Sequence, residues 1–328
     1  MDNLPLSQIE EGAIALSGLA SLLGKEWVEE FIGGYVTGFT LTLAIELWAC
    51  WKLIEKFDKA SQLLPRWRQG YRKLGVESEI LVASRFVKAA AALELEPKCG
   101  TRIPDFRTKF SSGRWIYAEV TKRGISVGRK SAQRTMESLT GALLLASEFG
   151  HSQLALRKCP DDCELQELLA WIRDLRSMED CCYADFAGFF VGDRDAGVDV
   201  ARMRELVPKP HLYQTRIHGN RMATVCMPVY DRNINTILKH ETAQLPKSEP
   251  SILFIDVSNV VGGVEEWATL IASCYQPNIR TRISASVVFS SSASPTSLIF
   301  DARVIPNPYA ALPLSDDELR QLCEICQT

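Results

Sequence analysis

Residues 104–122 read PDFRTKFSSGRWIYAEVTK. Asp105 follows Pro104 at the mouth of a short alternating segment, Ser111-Ser112-Gly113 supplies a turn, and Arg114 to Thr121 forms a strand with Glu119 near its end. The two carboxylates are fourteen residues apart, and a two-stranded turn brings them to adjacent strand ends. Such a pair suits a divalent cation. Mg²⁺ takes a small number of carboxylate oxygens and keeps water in its other positions, an arrangement that fits metal-assisted phosphodiester hydrolysis.

The charge around this stretch points the same way. Arg102 to Arg134 holds nine Lys and Arg residues against two acids, Asp105 and Glu119. A basic rim around a carboxylate centre is what a phosphodiester needs, because phosphate contacts supply most nucleic-acid affinity. The whole chain carries a net charge of -3, which excludes a protein that coats nucleic acid or an anionic membrane over its entire surface.

Working outward, Glu79 to Leu93 (EILVASRFVKAAAAL) reads as a helix opened by Glu79 and capped by Ser78. LELEPK is a short strand, DFRTKF and RWIYAEVT are the next two, and Lys130 to Phe149 is an amphipathic helix after the Gly124–Gly128 loop. The order helix, strand, strand, strand, helix is a mixed α/β beginning. Residues 1–75 read as an N-terminal helical extension, and 150–249 as an insertion or subdomain whose helix DDCELQELLAWIRDLRSM is capped by Asp161 or Asp162. Regular α/β alternation resumes with Ser251 to Val257 (SILFIDV), VEEWATLIASCY, ISASVVFS and SLIFDARVI, and a short C-terminal helix follows. The core is thus expected in 76–149 and 250–328, within the one elaborated or two unequal domains that 328 residues allow.

Phe31 to Trp51 is the one candidate membrane segment, but Glu46 lies inside it and the run continues into helical spacing, so a buried helix is expected rather than membrane association. The start lacks a basic region followed by an apolar core, and ten scattered cysteines do not form a secreted disulfide framework, so the cytoplasm is the expected location. Cys323-x-x-Cys326 and Cys159-x3-Cys163, with His151, have zinc-like spacing. The first pair lies on an amphipathic helix, so ordinary thiols are the favoured reading. Asp256 before SNVVGG suggests a phosphate loop, yet the loop lacks a Lys-Ser/Thr ending and reads as a strand-to-helix turn.

Glu79 on a helix, Pro104-Asp105 at a strand and Glu119 at the next strand together resemble the PD-(D/E)XK nuclease superfamily. The resemblance implies a restriction-endonuclease-like mixed central sheet flanked by helices and a Mg²⁺ or Mn²⁺ cofactor. It further implies Asp105 and Glu119 as metal ligands, the Val120 carbonyl as a further oxygen ligand and Glu79 as an accessory acid. Nucleic acid, DNA first, is the implied partner, held by Arg102, Arg107, Lys109, Arg123 and Arg129; a homo-oligomer is compatible with this. The chain departs from the pattern at one place. Thr121 occupies the family's lysine position and the lysine follows as Lys122, whose side chain strand alternation turns away from Glu119. A bulge at Thr121 would return Lys122 to the site. Otherwise Lys130, with Gln133 beside it, is the migrated candidate, or the chain is a catalytically inactive module that binds nucleic acid or protein.

Overall fold

The computed structural model describes residues 4–34, 36–71, 73, 75–123, 127–146, 150–175, 180–192, 200–207, 211–228, 234–260 and 262–327. Its elements run α1 (Leu6–Leu23), α2 (Lys25–Ile32), α3 (Gly38–Ile54), α4 (Ala60–Trp67), α5 (Val76–Lys88), β1 (Ala92–Leu95), β2 (Phe106–Lys109) and β3 (Trp115–Lys122). Next come α6 (Val127–Ala146), β4 (Gly150–Leu156), α7 (Asp162–Asp174), β5 (Cys181–Tyr183), β6 (Ala187–Gly192), α8 (Val200–Leu206), β7 (His211–His218) and β8 (Arg221–Pro228). The chain closes with α9 (Ile234–Gln244), β9 (Ser251–Asp256), α10 (Val264–Ser273), β10 (Ala285–Ala293), β11 (Leu298–Pro306) and α11 (Asp316–Gln327). The protein is α/β, with two mixed sheets in two compact units. The first unit comprises 1–123, 233–259 and 263–328, the second 124–232 and 260–262.

In the first unit six strands lie in the order β1-β2-β3-β9-β10-β11. The β3–β9 and β9–β10 pairs are parallel and the rest antiparallel. Central β9 is buried along its whole length, as its uninterrupted SILFI run requires of a strand covered on both faces. The helix α5 lays Ile80 and Phe86 onto this sheet, and the Phe86 ring meets Phe106 of β2 and Phe254 of β9 at 5.4 and 5.9 Å. The N-terminal helices join the same core through Leu19, Leu47, Ile54 and Trp67, all essentially inaccessible.

The stretch 31–51 is divided between two helices. Gly33 ends α2 in the left-handed region, and the Thr37 side chain caps α3 by accepting from the Thr40 N–H. Among the described residues no helix is long and apolar enough to cross a membrane.

Three expectations are corrected. The helix after the extension starts at Val76 rather than Glu79, so Ser78 sits inside its first turn and is no cap; Gly75, with φ 74°, precedes it without a side-chain cap. The same helix ends at Lys88 because the chain turns through Ala90, whose φ is 56°, into β1. The helix α6, expected in the sheet-forming core, lies in the second unit, where Ala132, Met136, Leu139 and Leu143 pack with residues of β4 and β8. An amphipathic pattern says that a helix covers a sheet but not which one. The helix that precedes β9 in the first unit is α9, from within the stretch read as insertion, and the second unit occupies 124–232 rather than 150–249.

The second unit orders its strands β5-β6-β4-β8-β7, with β4–β8 parallel. Asp161 caps α7 in a reciprocal capping box with Glu164.

Candidate functional site

Register brings the two predicted acids together. Phe106 pairs with Ala118, so Asp105, one residue earlier, comes opposite Glu119, one residue later. The two strand ends are then tied by a hydrogen bond from one to the other. The Val120 N–H donates to Asp105 Oδ2 at 2.7 Å. A strand residue presents its N–H and C=O on one edge, so the Val120 carbonyl opens on the side of Asp105.

Electrostatically the pair is short of positive charge. Glu119 is only 6% exposed, and its Oε2 is buried without a hydrogen-bond donor among the described residues. Burial, reinforced by Glu241 and Glu79, pushes its carboxyl up to about 8. Asp105 is raised well above the ordinary carboxylate range by burial and then by the charges of Glu79 and Glu119. Both acids are raised toward the protonated form, and a cation would replace the proton.

Glu79 takes a different part from the accessory ligand expected. Both of its oxygens accept from Arg66, at 2.9 and 2.7 Å, and Arg66 also reaches Glu96 at 3.5 Å. Burial still raises the Glu79 carboxyl, with Arg66 opposing. Arg66 belongs to α4, in a stretch (LPRWRQG) with no site pattern to announce it. Glu241 was equally invisible. It sits on α9, where its carboxylate accepts from the Thr121 hydroxyl at 3.2 Å and from Gln244 at 2.9 Å.

The lysine lies on the wrong face. Pairing of β3 with β9 runs unbroken through Thr121↔Ile255 and Lys122↔Asp256, so no bulge rotates Lys122 toward Glu119. Its stem lies beside the start of α5, where a Cβ added to Gly75 would stand 3.1 Å from Lys122 Cβ. Lys130 is exposed on α6, in the second unit.

The basic rim is largely engaged within the protein. Arg107 donates to Glu94 at 2.7 Å and Tyr117 Oη at 3.2 Å while stacking on Trp115. Arg102 donates to the Leu245 carbonyl at 2.9 Å. Arg123 lies 5.9 Å from the Trp267 ring centre, and its backbone N–H donates to the Asp256 carbonyl. Lys109 is exposed, and the side chain of Arg129 lies outside the described residues. Asp256 itself is structural in its contacts: it accepts from the Ser258 N–H at 2.8 Å and from the Ser78 hydroxyl, joining β9 to α5.

Among the described residues no group of three or more His, Cys, Asp or Glu side chains is arranged to hold a metal ion. The donors that Asp105, Glu119 and Val120 offer are nonetheless all hard oxygens. Together with the unpartnered Glu119 Oε2 they fit a cation such as Mg²⁺ or Mn²⁺ that retains several waters. No protein-family model matches this chain, and no curated protein does.

Proposed function

We propose that the first unit is a divalent-metal-dependent nuclease core of the PD-(D/E)XK kind, hydrolysing phosphodiester bonds of nucleic acid. The observation that carries the proposal is the Asp105–Glu119 pair at adjacent strand ends, tied through Val120, with a buried carboxylate oxygen left without a donor among the described residues. The order α5-β1-β2-β3-α9-β9, with Asp105 opposite Glu119, supports the restriction-endonuclease-like fold.

Asp105 and Glu119 would hold the cation, and the Val120 carbonyl would complete the protein's share of donors. When bound, that ion supplies charge to the phosphoryl oxygens and lowers the pKa of its own water. The chain's contribution is preorganisation. The β2–β3 ladder fixes both acids, and Arg66 neutralises Glu79 so that a third buried negative charge does not disorder the pair. Arg107 and Lys109 alternate with Asp105 along β2 and lie on its face, where a phosphate backbone would approach.

The test is direct. Purified protein with Mg²⁺ or Mn²⁺ should nick or degrade DNA or RNA, and Asp105→Ala should abolish cleavage; equal activity in both would sink the assignment. A second reading rests on the occupant of the lysine position. Thr121 faces Glu241 there while Lys122 lies across the sheet, which favours a catalytically inactive nuclease-like module that binds nucleic acid or protein. Its mark is salt-sensitive binding without cleavage, indifferent to metal.

A further inference from the structure

Beside α9, and opposite in purpose to the acidic pair, the first unit holds an open cleft of about 700 Å³ lined by Lys239, Arg280 and Arg282 with Asn235, Thr242 and Asn278. Among the described residues no acidic side chain and no aromatic ring lines it. Arg280 is held rigidly, its guanidinium donating to the Cys274 carbonyl and to Asn235 Oδ1, while its Nε is buried without a partner. The loop that presents these groups is a built structure. Asn278 and Arg280 both take the left-handed conformation, with φ 63° and 60°, a rare state for an arginine. Asn307 clamps the loop from behind by donating to the Arg280 and Ile283 carbonyls, and the Ala311 N–H donates to the Thr281 carbonyl.

We propose that this cleft is a phosphate-binding site for the phosphodiester backbone of a nucleic acid. Three cations gathered on one cleft, with no counter-acid among the described lining residues, fit a run of anionic groups. The described lining offers no aromatic ring to stack on a base, so the sugar-phosphate chain is the recognised part rather than a nucleoside. Arg282 is held below its ordinary range by burial first and then by the nearby charge of Arg102, a further cation close to this lining residue. The same helix serves both sites. Its residue Glu241 accepts from Thr121 on β3, next to Glu119, while Lys239 and Thr242 face the cleft. The identity of the ligand rests on the nucleic-acid reading above, but binding here needs neither metal nor catalysis.

The experiment is equilibrium binding of a fluorescently labelled mixed-sequence DNA duplex to the full chain, in EDTA, over a series of salt concentrations. Wild type should bind with an affinity that falls with salt, and Lys239→Ala should lower the slope of log K against log salt by about 1, as expected for one lost phosphate contact. Lys239→Ala with Arg282→Ala should lower it by about 2. Lys56→Ala, an exposed cation away from the cleft lining, should leave the slope unchanged. Lys239 is exposed, so its variant folds even if the double variant does not. No binding by wild type, an unchanged slope in Lys239→Ala, or an equal fall in Lys56→Ala would overturn the proposal. Binding of ADP but not of duplex would overturn the backbone assignment. Metal-dependent cleavage with an unchanged slope would keep the nuclease and remove the cleft, and a reduced slope in a protein that never cleaves would do the reverse.

Discussion

Glu119 concentrates the argument in one side chain. Its carboxyl, pushed up to about 8 from an ordinary 4.5 by burial and by Glu241 and Glu79, keeps a proton that the unfolded chain releases. Between those two pH values the native state therefore binds more protons than the unfolded state, and this contribution to stability is lost as pH rises from about 4.5 through about 8. Metal-free protein should accordingly melt at a lower temperature at pH 8 than at pH 6, and Glu119→Gln should make that dependence shallower, as followed by circular dichroism; an identical slope in the variant would contradict the burial argument. Asp105 keeps a residual slope in the variant because its carboxyl is raised too. At this scale Asp105 and Glu119 could be read from sequence because a Pro-Asp pair, a turn and an alternating strand fix their register. Arg66, Glu96 and Glu241 could not. They reach the site from α4, the end of β1 and α9, and a lone charged residue on a helix carries no sign of the partner that tertiary packing will give it.

Among the elements, the strands β2, β3 and β9 were legible to within a residue or two because alternation and an uninterrupted apolar run leave one reading. Others were hidden for physical reasons. In β4 the residues His151, Ser152 and Gln153 are all buried, and His151 is paired with Thr224 at 2.8 Å, so a core strand looks polar in sequence. The α9 segment INTILKHETAQ is short and weakly amphipathic, so nothing in its pattern separates it from the 150–249 insertion. The start of α5 was misread for a related reason, since Ser78 resembles a cap but serves Asp256 instead. Gly75 is the residue that makes this entry work. It combines a left-handed φ of 74° with close approach to Lys122, so Gly75→Ala should destabilise the protein by about 1 kcal/mol or more, measured by urea unfolding. A neutral substitution would mean that the turn relaxes and that the α5–β3 contact is not fixed there.

For the whole molecule, the α/β class and the presence of an N-terminal helical part and a middle subdomain could be read from the chain, whereas the subdomain's edges could not. The second unit builds its own core from Leu139, Leu154, Leu168 and Val225, and it interrupts the first between β3 and α9. Local periodicity cannot show that a helix has changed sheets, which is why α6 and α9 exchanged roles. Asp105, Glu119 and Val120 all belong to the first unit, so the proposed seat of a hard divalent cation does not depend on the second. The measurement that tests that seat most directly is Mn²⁺ binding by electron paramagnetic resonance across pH 6 to 8.5, on wild type and Asp105→Asn. The account predicts a site in the wild type whose affinity rises with pH, as the ion displaces the proton held at about 8, and its loss in the variant. Equal Mn²⁺ binding by both proteins, or none by either, would contradict it.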